Sequence, residues 1–313
     1  MDRPRTSRPP SGVKAGDESG GALRTTLARP RYEVIPTRGA DEWMGDLPQE
    51  ATVAITCSPA QGIEGTLRLA ERLAEQGFRV VPHVSARLVA DRAHLEEIVG
   101  RLDDLEVKEV FVVGGNAREP VGPYASAFEL LCAMAELGHG FEEIGVGGYP
   151  ERHPLIDAEV LRRALLDKQR FATYVVTQMC FDPGLILDWV AGIRRLGVSL
   201  PVLVGVPGVV NRKRLLQISR KIGVGESARF LRKHASLMRS LIADLLKSGG
   251  YSPDGLVREL APHLGDREHG VEGFHFYTFN QVESTEKWRR NMPGSGDGHL
   301  APRREGAVGD LRP

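Results

Sequence analysis

Eight short apolar runs rich in Val and Ile recur along this chain, and segments with helical periodicity separate them. The runs are residues 31–36, 52–57, 79–84, 110–115, 144–149, 173–178, 201–206 and 273–278. Apolar spacings of three and four predict helices between them, for example at Leu95, Ile98 and Leu102. Strands that are apolar on both faces and alternate with helices are typical of a covered parallel sheet. Eight such units predict the α/β class and closure into a single (βα)8 TIM barrel.

The barrel accounts for most of the 313 residues, because such a domain takes about 250. We place it at residues 29–284 and predict disordered tails at 1–28 and 285–313. Both tails are rich in Gly, Pro, Ser and charge, so they have little apolar surface to bury. The connection at residues 207–271 is long, and its role stays open.

Charge and composition narrow the class of protein. Lys plus Arg and Asp plus Glu both number 41, so no basic excess indicates a nucleic-acid partner. No apolar run reaches the roughly 18 residues of a membrane span, and we expect no membrane association. Three scattered cysteines without metal-ligand spacing predict no metal site and a cytoplasmic location.

Polar side chains recur where a purely structural strand would carry Val, within or just after the predicted strands. They are Glu33, Thr56, His83, Asn116, Tyr149, His153, Gln178 and Asp182. In barrels of this kind, chemistry lies at the C-terminal ends of strands and in the loops that follow. This ring of positions therefore predicts an active site at the mouth of the barrel.

Glu33 is the strongest candidate, because a charge inside a barrel strand is costly to bury unpaired. Burial would raise its pKa and let it hold a proton near neutrality, as a general acid needs. The alternatives are an ion pair with Arg31 or Arg79, or a looser strand that leaves the carboxylate solvated.

Other members of the ring suit a planar ligand. The Gln178 amide offers a donor and an acceptor to a heterocycle edge, although bonding to backbone is an alternative. Tyr149 can stack on a ring or simply pack in the wall. The glycine-rich strand ends at 114–116 and 145–148 allow close approach to backbone. Neither is GxGxxG, so a dinucleotide would be bound in another way than in a Rossmann fold.

In order along the chain, these strand ends resemble the methylenetetrahydrofolate reductase family. Residues 149–154 read YPERHP and are similar to the YPExHP segment of the family. Residues 177–182 read TQMCFD, and 273–280 read GFHFYTFN, similar to the TQxxFD and HFYTxN segments. Pro82 and His83 match as well. The resemblance runs from about Arg31 to Asn280, nearly the whole barrel.

The resemblance implies reduction of 5,10-methylenetetrahydrofolate to 5-methyltetrahydrofolate with a hydride from NADH or NADPH. Opening of the substrate ring needs a proton at the departing nitrogen, and Glu33 stands where the family keeps its acid. Gln178 corresponds to a residue that binds the pterin edge, and we add Asn116 and Asp182 to the folate site. Positions that match flavin contacts are Thr56, His83, Tyr149, His153 and Lys168, which we assign to the cofactor, nicotinamide or flavin.

Departures from the family pattern concentrate on the flavin side. The usual Arg-Gly-Asp triplet after the fourth strand is Gly-Gly-Asn at 114–116, and the usual Arg after Asn280 is Gln281. The stretch at 168–173 is one residue shorter than in the family. FAD is expected from the family, yet we hypothesise that this chain binds it weakly or not at all. The hydride would then pass directly from a reduced nicotinamide to the substrate.

Several alternatives stay open at this point. The same reaction could retain FAD as a hydride relay or use a deazaflavin donor. A folate-dependent methyltransferase and a catalytically inactive folate-binding barrel share the fold and the pterin site. The choice between NADH and NADPH and the oligomeric state are not predicted.

Overall fold

The computed structural model describes residues 15–37, 39–151, 153, 156–211, 250–266 and 270–292. Its strands are β1 (Arg31–Val34), β2 (Thr52–Ile55), β3 (Arg79–Ser85), β4 (Glu109–Val113), β5 (Glu143–Gly148), β6 (Tyr174–Thr177), β7 (Val202–Pro207), β8 (Val210–Asn211), β9 (Gly250–Tyr251) and β10 (Val271–Tyr277). Eight of them close a parallel barrel in the order β1-β10-β7-β6-β5-β4-β3-β2. Every predicted run contributes one strand of it, so the predicted (βα)8 barrel is confirmed.

Helices lie between the strands. They are α1 (Ala15–Ala28), α2 (Asp41–Met44), α3 (Gly62–Glu75), α4 (Arg92–Asp104), α5 (Ala127–Leu137), α6 (Ala158–Lys168), α7 (Pro183–Arg195), α8 (Asp254–Leu260) and α9 (Val282–Asn291). Short 3-10 helices occupy Ala86–Leu88 and Ala261–His263. The predicted apolar face of α4 is buried at Leu95, Ile98 and Leu102.

Four of the helices begin at side chains that cap them. Asp91 accepts a hydrogen bond from the backbone of α4, and Asp157 does the same for α6. Ser126 and Glu129 form a reciprocal capping box on α5. Asp182 caps α7, whose first residue is a proline. These caps satisfy backbone N–H groups that have no partner within the helix and fix where each loop ends.

Strand alternation separates the barrel interior from the surface that the helices cover. Ala54, Val81, Phe111, Tyr174 and Val176 form an inner cluster. Glu33 is in register with Ala54, which in turn is in register with Val81, so the three residues face the same side. The Glu33 side chain therefore points into the barrel.

Part of the predicted N-terminal tail is ordered. Residues 15–28 form α1, so the prediction of disorder was wrong there. Leu23 and Leu27, four residues apart, are buried, and α1 packs against β10 and the Ala261–His263 helix. The prediction failed because the segment is rich in Gly and charged residues overall, and its apolar face is only two leucines wide. Residues 1–14 lie outside the described part of the chain.

The predicted C-terminal tail was also placed too early, because α9 continues to Asn291. Two of its charged side chains, Glu286 and Arg289, are buried. The Tyr32 hydroxyl donates to Glu286 (2.6 Å), and the Arg289 guanidinium donates to the Leu27 carbonyl (2.7 Å). Partners from β1 and α1 thus allow a charge-rich helix to dock. Residues 293–313 lie outside the described part.

The long seventh connection contains a two-stranded antiparallel sheet, β8 with β9, followed by α8. Residues 212–249 and 267–269 of this connection are outside the described residues.

Candidate active site

Glu33 lies near the C-terminal end of β1 and meets two histidines inside the barrel. Its Oε2 atom is 3.1 Å from Nε2 of His275 on β10 and 3.9 Å from Nε2 of His83 on β3. The Glu33 side chain is 16% exposed, and both histidine side chains are almost fully buried. Strands β1, β3 and β10 thus bring one carboxyl and two imidazoles together at the barrel centre.

These groups titrate far from their usual ranges. Burial raises the pKa of Glu33 to about 7, although the nearby His83 opposes this shift. Burial lowers the pKa of His83 to about 4 and that of His275 to about 3. Near neutrality both imidazoles are therefore uncharged, and Glu33 holds its proton in a large fraction of molecules. That is the protonation state a general acid requires.

Arg31 and Arg79 do not neutralise Glu33, so the ion-pair alternative is wrong. Arg31 pairs with Glu109 across 2.5 Å, and Arg79 lies 3.4 Å from Glu109 and 3.1 Å from Glu143. This charged layer occupies the N-terminal end of the barrel interior, below Glu33. The basic residues of β1 and β3 are therefore paired with other carboxylates, and no Arg or Lys in the described part of the chain pairs with Glu33.

The segment after β10 fixes the backbone around Glu33. The Thr278 hydroxyl donates to the Glu33 carbonyl (2.7 Å), and the Asn280 amide exchanges two hydrogen bonds with the backbone of Ile35 (2.8 and 3.0 Å). Tyr277 donates its hydroxyl proton to the Thr177 carbonyl on β6 (3.0 Å). Asn280 adopts a left-handed backbone with φ of 62°, which Asn tolerates better than most residues. The HFYTFN segment therefore holds β1 as well as lining the site.

A mainly apolar cavity lies between β5 and helices α6 and α7. Lys168 is buried at the end of α6 and lines a cavity of about 170 Å³ together with Tyr149 and Trp189. Burial lowers the pKa of Lys168 to about 8, and no carboxylate of the described residues pairs with its amine. The His153 ring meets Tyr149 edge-on, with ring centroids 5.4 Å apart. Three of the predicted cofactor residues are thus neighbours, and the pocket suits an anionic group next to a ring.

The remaining predicted residues lie on loops at the strand ends. Thr56 directly follows β2, and its amide donates to the Val34 carbonyl (2.9 Å). Gln178 is exposed after β6, and its side-chain oxygen accepts from the Met179 amide (3.1 Å). Asn116 is exposed after β4, and Asp182 is engaged in capping α7. No contact joins these four side chains to Glu33.

Sequence reasoning missed His275 as a partner of Glu33. The signal was present, because His275 and Tyr277 stand two residues apart between apolar residues, on the face of β10 opposite to Phe274 and Phe276. Register then places Tyr277 beside Glu33. The alternation along β10 predicts that His275 and Tyr277 point into the barrel. That they lie beside Glu33 follows only from the pairing of β10 with β1.

No group of three or more His, Cys, Asp or Glu side chains among the described residues is arranged to hold a metal ion. None of the described helices is both long and apolar enough to cross a membrane.

These features define a (βα)8-barrel protein with a largely buried, protonatable carboxyl inside the barrel, near the C-terminal end of β1. The chain belongs to the methylenetetrahydrofolate reductase family, whose model matches residues 49–292. The matched region includes His83, Gln178 and His275 but begins after β1. The role of Glu33 therefore depends on its geometry in this structure.

Individual relatives are distant. "Methylenetetrahydrofolate reductase (NADH) 1" of Arabidopsis thaliana is 25% identical over 52% of this chain and 28% of its own length. "Methylenetetrahydrofolate reductase 1" of Schizosaccharomyces pombe is 28% identical over 51% of this chain and 25% of its own length. The chain thus matches only about a quarter of these relatives. "5,10-methylenetetrahydrofolate reductase" of Pectobacterium carotovorum is 26% identical over 66% of this chain and 67% of its own length.

Among solved structures, a class V chitinase mutant from Cycas revoluta is similar to 83% of this chain, which in turn covers 98% of the chitinase chain. The identity is 10% and the TM-score 0.48, so this likeness carries no information about function.

Proposed function

We propose that this protein reduces 5,10-methylenetetrahydrofolate to 5-methyltetrahydrofolate with NADH or NADPH, and that Glu33 is its proton donor. The observation that carries the proposal is the Glu33 carboxyl, which lies largely buried beside two neutral histidines and has no Arg or Lys partner among the described residues. Membership of the family supports the choice of substrate.

The reaction requires one general acid. A proton from Glu33 goes to the departing ring nitrogen, the bond between that nitrogen and the methylene carbon breaks, and an iminium ion forms. A bound reduced nicotinamide supplies the hydride that converts the iminium carbon to a methyl group. Glu33 becomes a carboxylate and regains its proton from solvent after product leaves. A pKa of about 7 keeps the acid protonated in a large fraction of the enzyme at neutral pH.

The folate site lies on the loops after β4 and β6 in this proposal. Gln178 binds the pterin edge, since a primary amide presents both a donor and an acceptor. Its amide oxygen has only the neighbouring Met179 amide as partner, so the side chain is available to a ligand. Asn116 is exposed and has room to contribute. Asp182 stays in the proposed folate site, where its bond from the Leu185 amide orients this loop.

The hydride donor occupies the pocket beside β5 in this proposal. The Lys168 amine, which has no carboxylate partner in the described part of the chain, meets an anionic group of the dinucleotide, and Tyr149 and His153 supply ring contacts. Thr56, which follows β2, and His83, which lies 3.9 Å from Glu33, stay in the proposed cofactor site. The relatives from Arabidopsis thaliana and Zea mays carry NADH in their names, which makes NADH the first donor to test.

The residues present do not suit a tightly held flavin. The family resemblance expects a cation and an anion on either side of a glycine after β4, but Gly114 and Asn116 carry no charge. The central glycine is retained for a steric reason. Gly115 has φ of 93°, and a Cβ atom there would collide with Ser85 Oγ. We therefore propose direct hydride transfer from the nicotinamide, with no flavin relay.

An anaerobic assay of purified protein with methylenetetrahydrofolate and each nicotinamide tests the proposal, with the absorbance spectrum recorded first. We expect nicotinamide oxidation, with NADH or NADPH, by a colourless protein. A stoichiometric yellow chromophore would overturn the flavin-free proposal and leave the FAD-dependent form. Activity only with a reduced deazaflavin would mean that a deazaflavin, and not a nicotinamide, is the hydride donor. Folate methylation by a methyl donor without nicotinamide oxidation would indicate a methyltransferase, and tight folate binding without turnover would indicate a binding protein.

A cytoplasmic location is also a proposal. The three cysteines are free thiols, which suit a reducing compartment.

A further inference from the structure

Both histidines of the site face the same oxygen of Glu33. His275 Nε2 is 3.1 Å from Oε2, within hydrogen-bond distance, and His83 Nε2 is 3.9 Å from the same atom. Oε1 makes no hydrogen bond with any residue of the described chain. The two oxygens of one carboxyl group are therefore in different environments.

The tautomer of His275 follows from its other ring nitrogen. Nδ1 of His275 is buried and has no hydrogen-bond partner among the residues that the structure describes. A buried N–H without a partner is rarer in folded proteins than a buried acceptor without one. The hydrogen of the neutral ring is therefore on Nε2, where it has Oε2 of Glu33 as acceptor, and Nδ1 carries the lone pair.

We propose that His275 is a positioning residue that holds Oε2 of Glu33 as a hydrogen-bond acceptor and thereby makes Oε1 the oxygen that delivers the proton. With Oε2 receiving the Nε2–H in both states of Glu33, the acidic hydrogen resides on Oε1. This inference rests on the proposed role of Glu33 as proton donor and adds the atom, the partner and the tautomer.

The hydrogen bond also favours proton release. When Oε1–H breaks and its hydrogen forms a new N–H bond on the substrate, Glu33 becomes a carboxylate. The same Nε2–H then donates to an anion, and such charge-assisted hydrogen bonds are about twice as strong as neutral ones. An interaction that strengthens as charge develops lowers the barrier to proton transfer.

His275 serves this role only while it is neutral. A cationic imidazolium 3.1 Å away would ionise Glu33 before substrate bound. Burial disfavours the cation most, the positive charge of Arg31 on β1 adds to that effect, and the negative charge of Glu109 on β4 opposes it. Other titratable groups around Glu33 are His83 on β3 and Tyr277 on β10, and Ala54 and Thr56 of the β2 side carry no charge.

The experiment compares His275→Phe, which removes the donor while keeping a ring, with His275→Gln, whose side-chain amide can donate to Oε2. Infrared difference spectra of the free protein, with Glu33→Gln as reference, give the midpoint at which Glu33 ionises. We expect His275→Phe to raise this midpoint by about one to two pH units, because the carboxylate loses a charge-assisted hydrogen bond. His275→Gln should restore much of the shift.

Steady-state kinetics below the Glu33 midpoint give a second readout. There we expect kcat to fall about tenfold or more in His275→Phe, with the folate KM within about twofold of wild type. A midpoint that moves down in His275→Phe would mean that His275 accepts the Glu33 proton, and an unchanged midpoint would mean no coupling. Either result overturns the inference.

¹⁵N NMR of the unmodified protein reads the His275 tautomer directly and stays decisive even if a variant does not fold. Hydrogen on Nε2 supports the inference, and hydrogen on Nδ1 overturns it. The infrared and NMR readouts need no substrate. If they agree with expectation while reductase activity is absent, the proposed function fails and the Glu33–His275 relationship stands; if activity is present and they disagree, only the inference fails.

Discussion

Arg31 Nη1 lies 2.5 Å from Glu109 Oε1, and this ion pair crosses the barrel interior from β1 to β4. The Glu109 side chain is 1% exposed and that of Arg31 is 14% exposed, so both charges are largely removed from water. The guanidinium also lies over the Tyr174 ring, 5.2 Å from its centroid. Arg31 is paired with Glu109 toward the N-terminal end of the barrel interior. Glu33 lies two residues later on the same face of β1, nearer the C-terminal end of the barrel, and Arg31 does not neutralise it.

Arg31→Met should destabilise the protein strongly, because it removes the shortest ion pair of the buried Glu109 and leaves the more exposed Arg79, at 3.4 Å, as its nearest cation among the described residues. Breaking a buried ion pair from one side costs about 3–5 kcal/mol. Urea denaturation followed by circular dichroism measures the loss. Arg68→Met is the matched control, since Arg68 pairs with Glu64 on the exposed surface of α3 and should change stability by less than about 0.5 kcal/mol. Equal small losses in the two variants would contradict a stabilising role for the Arg31–Glu109 pair.

Glu33→Gln should lower kcat by about 10²- to 10⁴-fold, the usual contribution of general acid catalysis. An amide has nearly the same shape but no acidic proton, so the folate KM should change little. Initial rates of nicotinamide oxidation under anaerobic conditions give both constants. Glu142→Gln makes the same chemical change at an exposed position and should leave kcat unaltered. Near wild-type turnover by Glu33→Gln would exclude Glu33 as the proton donor.

Stability should depend on pH through Glu33. Its pKa is about 7 in the folded protein, against about 4.3 in an unfolded chain. Between these values the folded state binds more protons, so the free energy of unfolding falls as pH rises and then levels above pH 7. Glu33→Gln has no ionisable group at this position and therefore lacks this pH dependence of the unfolding free energy. It should match wild type near pH 4 and be more stable by about 3 kcal/mol at pH 8.

The difference between the two proteins isolates this effect, because both retain His83 and His275. Those histidines act in the opposite sense, since their lowered pKa values give stability above pH 6.5 that is lost as pH falls. Denaturation at pH 5, 6, 7 and 8 maps the curve. A difference independent of pH would mean that Glu33 is not a buried, protonated acid in the free protein.

Much of the fold was predictable because the strands of this barrel are marked locally by Val and Ile on both faces, as in 110–113 and 174–177. Glu33 was identifiable because a carboxylate interrupts such a run. Its partners were not, since His275 lies 242 residues away and only barrel closure joins the two. Helix α1 was missed for a related reason, because it packs against β10 and the Ala261–His263 helix, which are more than 230 residues away in the sequence.

Lys168→Met should raise the KM for the nicotinamide donor about tenfold, because a charge-assisted hydrogen bond to its anionic group is lost. The folate KM should stay within about twofold of wild type. In wild type the donor KM should also rise above pH 8, where the Lys168 amine loses its proton, since burial lowers its pKa to about 8. That pH dependence should disappear in the variant.

Lys287→Met is the control for this change, because Lys287 is an exposed cation on α9. Saturation curves for each nicotinamide at pH 7 and 9 are the measurement. A larger effect on the folate KM than on the donor KM would move Lys168 to the folate site. If both variants changed the donor KM equally, Lys168 would contribute only through the overall charge of the protein and not through contact with the donor.

Gly145→Ala should destabilise the barrel, because the added methyl group faces the packed interior. A Cβ atom at Gly145 would lie 2.4 Å from ring atoms of both Phe111 and Tyr174. Overpacking of this kind costs about 1–3 kcal/mol. Phe111 also packs on His83, with ring centroids 4.7 Å apart, so its displacement should move His83 relative to Glu33 and lower kcat as well.

Gly100→Ala is the matched control for that substitution. Gly100 lies on α4 with no atom within 4 Å of the added carbon, and alanine there should stabilise the helix by about 0.5–1 kcal/mol. Thermal unfolding should show a lower melting temperature for Gly145→Ala and a higher one for Gly100→Ala, if the barrel interior is as tightly packed around β5 as these contacts indicate. A Gly145→Ala variant with wild-type stability and kcat would mean that the rings of Phe111 and Tyr174 have room to move, and that His83 is not held in place by this packing.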